Sequence, residues 1–267
     1  MKSLSEIKAN NLFRDVRIYR IFGIERLFQL INEETLALLA PRKWEDPYEK
    51  ALQDLLETKN KFKIYGLCWS SRSRSDALWR IYSPNKLGVR VSTTIGRVID
   101  SIRDSHEFNN DNLFVGAVSY LPETTRYHDK LFDFGKNKLS LSAEDFSRPI
   151  VTMSDAIKDM IKDKEAQHRR KAEDIAKIFL VKRKAFDHES EVRFIYVDRN
   201  NVNNMDGVLK IKIDPVKLIS AIQFDPRMKD DIYNSLKKAL LANVAAGNIR
   251  ISKSDLYKSP EEIISTS

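Results

Sequence analysis

The sequence predicts an α+β fold. Strand-like and helix-like stretches follow one another without a regular βαβ beat. A hydrophobic share of 42% beside 31% charged residues belongs to a folded chain. No repeat or low-complexity linker interrupts the 267 residues, a length that suits one large domain or two small ones. The expected organisation is a single domain over residues 1–258, with a loop-rich and helical insertion at 122–180 and a loose tail at 259–267.

An opening strand ends at Tyr19-Arg20-Ile21-Phe22, and Leu27, Phe28, Leu30 and Ile31 mark a short helix from Glu25 to Asn32. Thr35 to Ala40 reads as a buried strand, and Pro47 to Glu57 returns to helical spacing through Ala51, Leu52, Leu55 and Leu56. Asp46 ahead of Pro47, with Glu49 in the first turn, is a helix start on its own. Strands follow at Phe62–Trp69 and Leu87–Thr93, with a helical turn or two at Asp76–Tyr82 between them. Ile95, Val98, Ile99 and Ile102 mark another helix, and Leu113–Leu121 another strand. Ser154 to about Phe179 is the longest helical candidate. Strands are expected at Val192–Val197, Gly207–Ile213, Leu218–Phe224 and Ile249–Ser252, with an amphipathic helix from Asp230 to Val244.

Small counts exclude several chemistries. One Cys cannot build a disulfide framework or a cysteine zinc site, and it points to a reducing, cytoplasmic setting. His106, His128, His168 and His188 never stand four apart, so no helical two-histidine metal motif exists. The 8 Gly form neither a dinucleotide-binding turn nor a P-loop. The longest apolar run, Leu36 to Ala40, is far short of the roughly 20 residues that span a bilayer, and the first residues lack the apolar core of a signal peptide. No metal and no membrane are expected.

The net charge of +8 is uneven. Seven basic residues stand against two acidic ones from Arg72 to Arg103, and again from His168 to Lys184. Such runs solvate helix faces, but two of them make a polyanion partner plausible, with Arg72, Arg74, Arg169, Arg170, Lys182 and Lys184 as its cations.

Four blocks could carry chemistry. Arg20, flanked by Ile18, Tyr19, Ile21 and Phe22, offers a fixed fork of donors for a phosphate or carboxylate. Trp44-Glu45-Asp46-Pro47-Tyr48-Glu49 is explained by helix capping alone. The stretch from Cys68-Trp69-Ser70 through Trp79 and Tyr82 to Val91-Ser92-Thr93-Thr94 either packs a core or walls a pocket for a flat ring, with Cys68 as a packed thiol. Glu189 and Glu191 are two apart where a strand begins, so they share a face. They form either a structural salt-bridge cluster, offset by Arg193 and Lys184, or a site that uses their repulsion.

The order of these blocks resembles a known pattern. Tyr19-Arg20-x-Phe22, Glu45-Asp46-Pro47-Tyr48-Glu49, Cys68-Trp69-Ser70, Leu78-Trp79-x-x-Tyr82-Ser83 and Lys86-Leu87-Gly88-Val89 come first. Lys182-x-x-x-Phe186-x-x-Glu189-x-Glu191-x-Arg193-Phe194 and Leu218-Ile219-Ser220-Ala221-Ile222 complete the series. Together, over residues 18–252, they resemble a widespread bacterial family of unknown function that is similar to the ADP-ribosyltransferase superfamily. The resemblance implies a split β-sheet core with flanking helices, and NAD bound as a substrate. It assigns Arg20 to the pyrophosphate, Tyr19, Ser70 and Ser92 to the cofactor strands, and Trp79 or Tyr82 to stacking on nicotinamide. Glu191 becomes the carboxylate that stabilises the cationic ribose, and Glu189 the group that positions or deprotonates the acceptor.

The expected activity is therefore an NAD-dependent mono-ADP-ribosyltransferase acting on a nucleic acid or protein. A toxin or phage-defence role and a neutralising antitoxin or accessory protein fit that expectation. Two alternatives use the same residues. A metal-dependent nuclease would take Asp46, Glu49, Glu189 and Glu191 as oxygen ligands. A non-catalytic nucleic-acid-binding module would leave all function to the basic runs.

Overall fold

The structure, a computed structural model, describes residues 2–3, 13–59, 62–103, 112–121, 172–198, 206–243, 249–259 and 261. Most of the 122–180 insertion and of the 259–267 tail, together with Arg169 and Arg170, lies outside the described residues. The α+β class read from the sequence is the class observed, with strands paired mostly antiparallel. No described helix is long and apolar enough to cross a membrane.

The chain gathers into two compact units, each assembled from separate stretches. The first holds residues 1–6, 37–68 and 109–209. Its strands run in the order β1 (Lys2–Ser3), β6 (Leu113–Ala117), β9 (Glu191–Asp198) and β4 (Lys63–Ser70, of which residues 63–68 belong to this unit). β6 and β9 are antiparallel, from Leu113 opposite Tyr196 to Ala117 opposite Val192. β3 (Thr35–Leu39) joins β4 through Leu39 and Gly66. All eight residues of β9 are buried, which marks a strand covered on both faces.

Helix α2 (Pro47–Lys59) and helix α5 (Ala172–Ile178) supply the remaining cover. Leu52, Ile175, Ile178 and Phe179 close with Ile64, Phe114, Ile195 and Val197 into one apolar cluster, against which Trp44 packs. The expected helix start holds: the Tyr48 amide donates to Asp46 Oδ1 at 3.0 Å, directly ahead of Pro47. Gly66 permits the close approach of Trp44, because a Cβ there would collide with the indole. Gly66→Ala is expected to cost about 1–3 kcal/mol by overpacking, read as a lower urea midpoint with an unchanged m-value.

The second unit holds residues 7–36, 69–108 and 210–267. Its sheet runs β2 (Arg17–Gly23), β5 (Gly88–Thr94), β10 (Ala221–Phe224) and β11 (Arg250–Lys253). β2 and β5 are antiparallel over their whole length, from Arg17 opposite Thr94 to Gly23 opposite Gly88. β5 and β10 are antiparallel, whereas β10 and β11 are parallel. Ser70, the last residue of β4, pairs with Tyr19.

The pleat divides this sheet chemically. Ile18, Val89, Val91, Ile222 and Phe224 are fully buried on one face. Leu27 and Leu30 of α1 (Ile24–Glu33) and Val98 and Ile99 of α4 (Ile95–Ser101) are buried as well. The other face carries Tyr19, Ile21, Arg90, Ser92 and Gln223, all partly exposed. α3 (Asp76–Tyr82) and α4 begin with caps that the sequence supplies: Ser75 Oγ accepts from the Leu78 amide and Thr94 Oγ1 from the Arg97 amide, both at 3.2 Å. α7 (Asp230–Asn243) packs through Leu240.

Two expectations are corrected in detail. The strand expected over Leu113–Leu121 breaks at Val118, so that β7 (Ser119–Leu121) can pair in parallel with β8 (Val181–Arg183). The run Leu218–Phe224 is not all strand. Asp214 caps a short helix, α6 (Pro215–Leu218), and the strand begins only at Ala221.

Candidate active site

Five charged side chains converge inside the first unit. Lys182 on β8 places Nζ 2.5 Å from Glu189 Oε2 and 2.7 Å from Glu191 Oε1. The second oxygen of Glu191 accepts from Arg193 Nε at 2.5 Å. Arg193 Nη1 reaches Glu49 Oε1 at 2.5 Å and the Phe179 carbonyl at 2.8 Å. The Arg193 guanidinium also lies over the Trp44 ring, 4.6 Å from its centroid. All five are buried, Arg193 to 1% exposure.

Each position follows from local structure. Glu191 and Arg193 are alternate residues of β9 and share a face. Glu49 sits in the first turn of α2, which turns it inward to Arg193. Glu189 is reached differently from the sequence expectation. It is not the strand neighbour of Glu191 but the last residue of a 3₁₀ segment, Lys184–Glu189. Ser190 then takes φ 45° and ψ 56°, a left-handed turn that swings the chain into β9. The two carboxyls meet because of that turn and Lys182, not because of the pleat.

Three carboxyls face two cations, so the group is short of positive charge and holds a proton. Burial and Arg193 act on Glu191 in opposite senses. Arg193, the Glu189 carboxyl and Lys182 prevail and hold Glu191 ionised well below the usual carboxylate range. For Glu189, burial together with the charge of Glu191 outweighs Lys182, and its pKa is pushed up to about 7. Burial also raises Glu49, against the pull of Arg193. Lys182 is opposed by burial but raised by Glu191 and Glu189, so it stays charged. Two carboxyls on one lysine, one held as an anion and one releasing its proton near neutrality, have the separated pKa values that an acid–base pair can use.

That assignment has a measurable sign. A solvated Glu loses its proton near 4.5, whereas Glu189 in the fold keeps it to about 7. Between those values the unfolded chain binds fewer protons, so this group's contribution to stability falls as pH rises through the window. Glu191 acts oppositely, and its contribution is lost as pH falls below its ordinary 4.5. Urea midpoints at about pH 5 and about pH 7 are expected to show a smaller decline in Glu189→Gln than in wild type. An equal decline in both would remove the raised carboxyl from the account.

A second ion pair borders this group. Arg183 holds Asp46 through Nη2 at 3.0 Å and Nε at 3.3 Å, and its guanidinium lies 4.5 Å from the Tyr48 ring centroid and 5.1 Å from that of Phe186. The Glu191 amide donates to Tyr120 Oη at 2.7 Å.

The remaining expected residues divide clearly. Lys182, expected among the cations for a polyanion, is buried with its charge committed to the two carboxylates; Lys184, expected to offset them, is exposed. Arg72 and Arg74 are exposed in the second unit, Arg74 paired with Asp255 at 3.2 Å. Arg20 and Tyr19 are half-buried neighbours on β2, pointing to opposite faces. The Arg20 guanidinium lies against the Phe22 ring at 5.8 Å. Ser70 and Ser92 flank Tyr19 in one row across the sheet.

Trp79 is 1% exposed and belongs to the core, so it offers no face for stacking, whereas Tyr82 is 42% exposed. Cys68 is half-buried on β4. Among the described residues no group of three or more His, Cys, Asp or Glu is placed so that it could hold a metal ion, and Asp46 and Glu49 are turned to arginines. Sequence reasoning missed the inward role of Glu49 and Lys182. The spacing Lys182-x₆-Glu189-x-Glu191-x-Arg193 was the available signal for the lysine.

No family profile and no curated protein matches this chain. Solved structures similar to it include Thermus sp. 2.9 DarT in complex with NAD+, at 13% identity and a TM-score of 0.37, covering 91% of this chain and 97% of that one. The carba-NAD+ complex of that protein aligns at 14% identity and a TM-score of 0.36, with the same coverage of 91% and 97%. Its complex with ADP-ribosylated ssDNA aligns at 13% identity and a TM-score of 0.35, covering 91% of this chain and 96% of that one.

Proposed function

We propose that this chain is an NAD-dependent mono-ADP-ribosyltransferase acting on a nucleic acid or protein acceptor. The observation that carries the reading is the buried pair Glu189–Glu191 on Lys182, with one carboxyl ionised and the other holding a proton to about 7. Cleaving the bond between nicotinamide and ribose builds an oxocarbenium-like cation, as glycoside cleavage does. Glu191, held by Arg193 and Lys182, supplies a fixed negative charge for that cation. Glu189 accepts the proton of the attacking acceptor group, a task that suits a pKa near neutrality. Lys182 positions both.

Arg20, Tyr19, Ser70 and Ser92 remain proposed for the cofactor, with Tyr82 in place of the buried Trp79 as the stacking ring. Arg72, Arg74, Arg169, Arg170 and Lys184 remain the cations proposed for the acceptor, and of these Arg72, Arg74 and Lys184 are exposed. In this reading the split β core is that of the superfamily, and toxin or defence activity with a neutralising partner in the cytoplasm belongs to it.

The test is incubation with NAD labelled in its ADP-ribose part, together with RNA, DNA or lysate. Label transfer that persists in EDTA is the expected result. Nucleic-acid cutting that needs a divalent cation and no NAD would establish the nuclease instead, and salt-dependent binding alone would leave a binding module.

A further inference from the structure

Among the described residues, two buried side-chain polar atoms have no hydrogen-bond partner: Trp69 Nε1 and Arg90 Nε. The second belongs to a charged group. A guanidinium N–H that leaves water without an acceptor keeps its desolvation cost uncompensated. Yet Arg90 is firmly placed, with its guanidinium over the Tyr19 ring at 4.9 Å from the centroid. An aromatic face holds a cation in position without satisfying any of its N–H groups.

The surroundings of Arg90 favour an anion. The nearby carboxylate, Asp255, is bonded to Arg74 at 3.2 Å. Burial works most strongly against the Arg90 cation and Arg74 adds to it, while Tyr19 and Asp255 act in its favour without prevailing. On the same face, Ser92 is the next residue along the pleat of β5, and Ser70 lies across Tyr19. A half-buried fork of donors, hydroxyls in the adjoining row and no carboxylate of its own form the arrangement that oxyanions occupy.

We infer that Arg90 binds an oxyanion of the phosphate class on the polar face of β2 and β5, with Tyr19 as its platform and Ser92 beside it. The inference rests on the reading of an NAD-using enzyme only in the choice of a diphosphate as the anion. It moves the phosphate contact from Arg20, which lies on the other face of β2, to a residue with an unmet donor.

The experiment is calorimetric titration of the full chain with inorganic pyrophosphate, ADP and adenosine, alongside an NAD turnover assay. Wild type is expected to bind pyrophosphate and ADP but not adenosine. Equal affinity for the two anions identifies the free oxyanion as the ligand; tighter ADP identifies a nucleotide. Arg90→Gln is expected to weaken both at least about tenfold. Arg90→Lys, which keeps the charge and loses the fork, is expected to weaken them less while leaving the melting temperature unchanged, and it decides the matter if Arg90→Gln folds poorly.

Anion affinity unchanged in both variants, or absent from wild type, overturns the inference. NAD turnover with anion affinity unaltered in the variants overturns it and leaves the transferase. Arginine-dependent anion binding without NAD turnover leaves the inference and removes the transferase.

Discussion

Glu191→Gln is expected to lower label transfer from NAD by about 10²–10³-fold, the loss typical when one fixed stabilising charge or donor is removed from a transition state. The amide keeps the shape of the carboxyl, but its single oxygen accepts from only one of Arg193 Nε and Lys182 Nζ, and its NH2 faces the other donor. The charge disappears as well. Two carboxyls then face two cations, and Glu189 no longer shares a proton with a neighbouring anion. Its pKa is expected to fall from about 7 toward the ordinary range. A single substitution therefore has two readouts, the transfer rate and the pH dependence of stability. Slow transfer with the pH dependence unchanged would separate catalysis from the proton and refute the shared assignment.

Arg193→Ala is expected to be the most destabilising substitution in the cluster, at about 3–5 kcal/mol by urea denaturation. Its guanidinium is the partner of both Glu49 and Glu191, it bonds the Phe179 carbonyl, and it fills the space over Trp44. Truncation leaves two carboxyls buried without their cation and opens a cavity beside an indole. Arg193→Met fills the volume but not the charge. It is expected to recover part of the loss at low pH, where the carboxyls are protonated, and little of it at neutral pH. A loss below about 1 kcal/mol for Arg193→Ala would mean that the cluster is reached by water.

Much of the fold was legible because its signals are local. Asp46 before Pro47 caps α2, Ser75 caps α3, and alternation marks β5, all within a few residues. The 3₁₀ segment before β9 was not legible, since a Ser at positive φ leaves no compositional mark where a Gly would. The candidate site divides in the same way. Glu189, Glu191 and Arg193 stand together in the sequence, and their mutual compensation could be read there. Lys182 was not told by charge from its basic neighbours Arg183 and Lys184, because a charge count carries no depth: the first is buried and the last exposed, and only the spacing to the two carboxyls sets the lysine apart. Glu49 satisfied a capping pattern so well that nothing in its surroundings announced a partner in β9. Arg90 hid in a strand of ordinary alternation, and only the structure shows a donor left unmet.

The spacing of the cluster along the chain also bears on how it is assembled. Lys182, Glu189, Glu191 and Arg193 lie within one short stretch, so the loop that joins them closes at small entropic cost and can do so early. In water they are two cations and two anions and need no proton. Glu49 arrives from 144 positions away, with α2. Burial is the leading cause that raises both Glu189 and Glu49. Proton uptake therefore belongs to the step that excludes water from the cluster, and the first unit acquires its raised carboxyls only when its tertiary structure is complete.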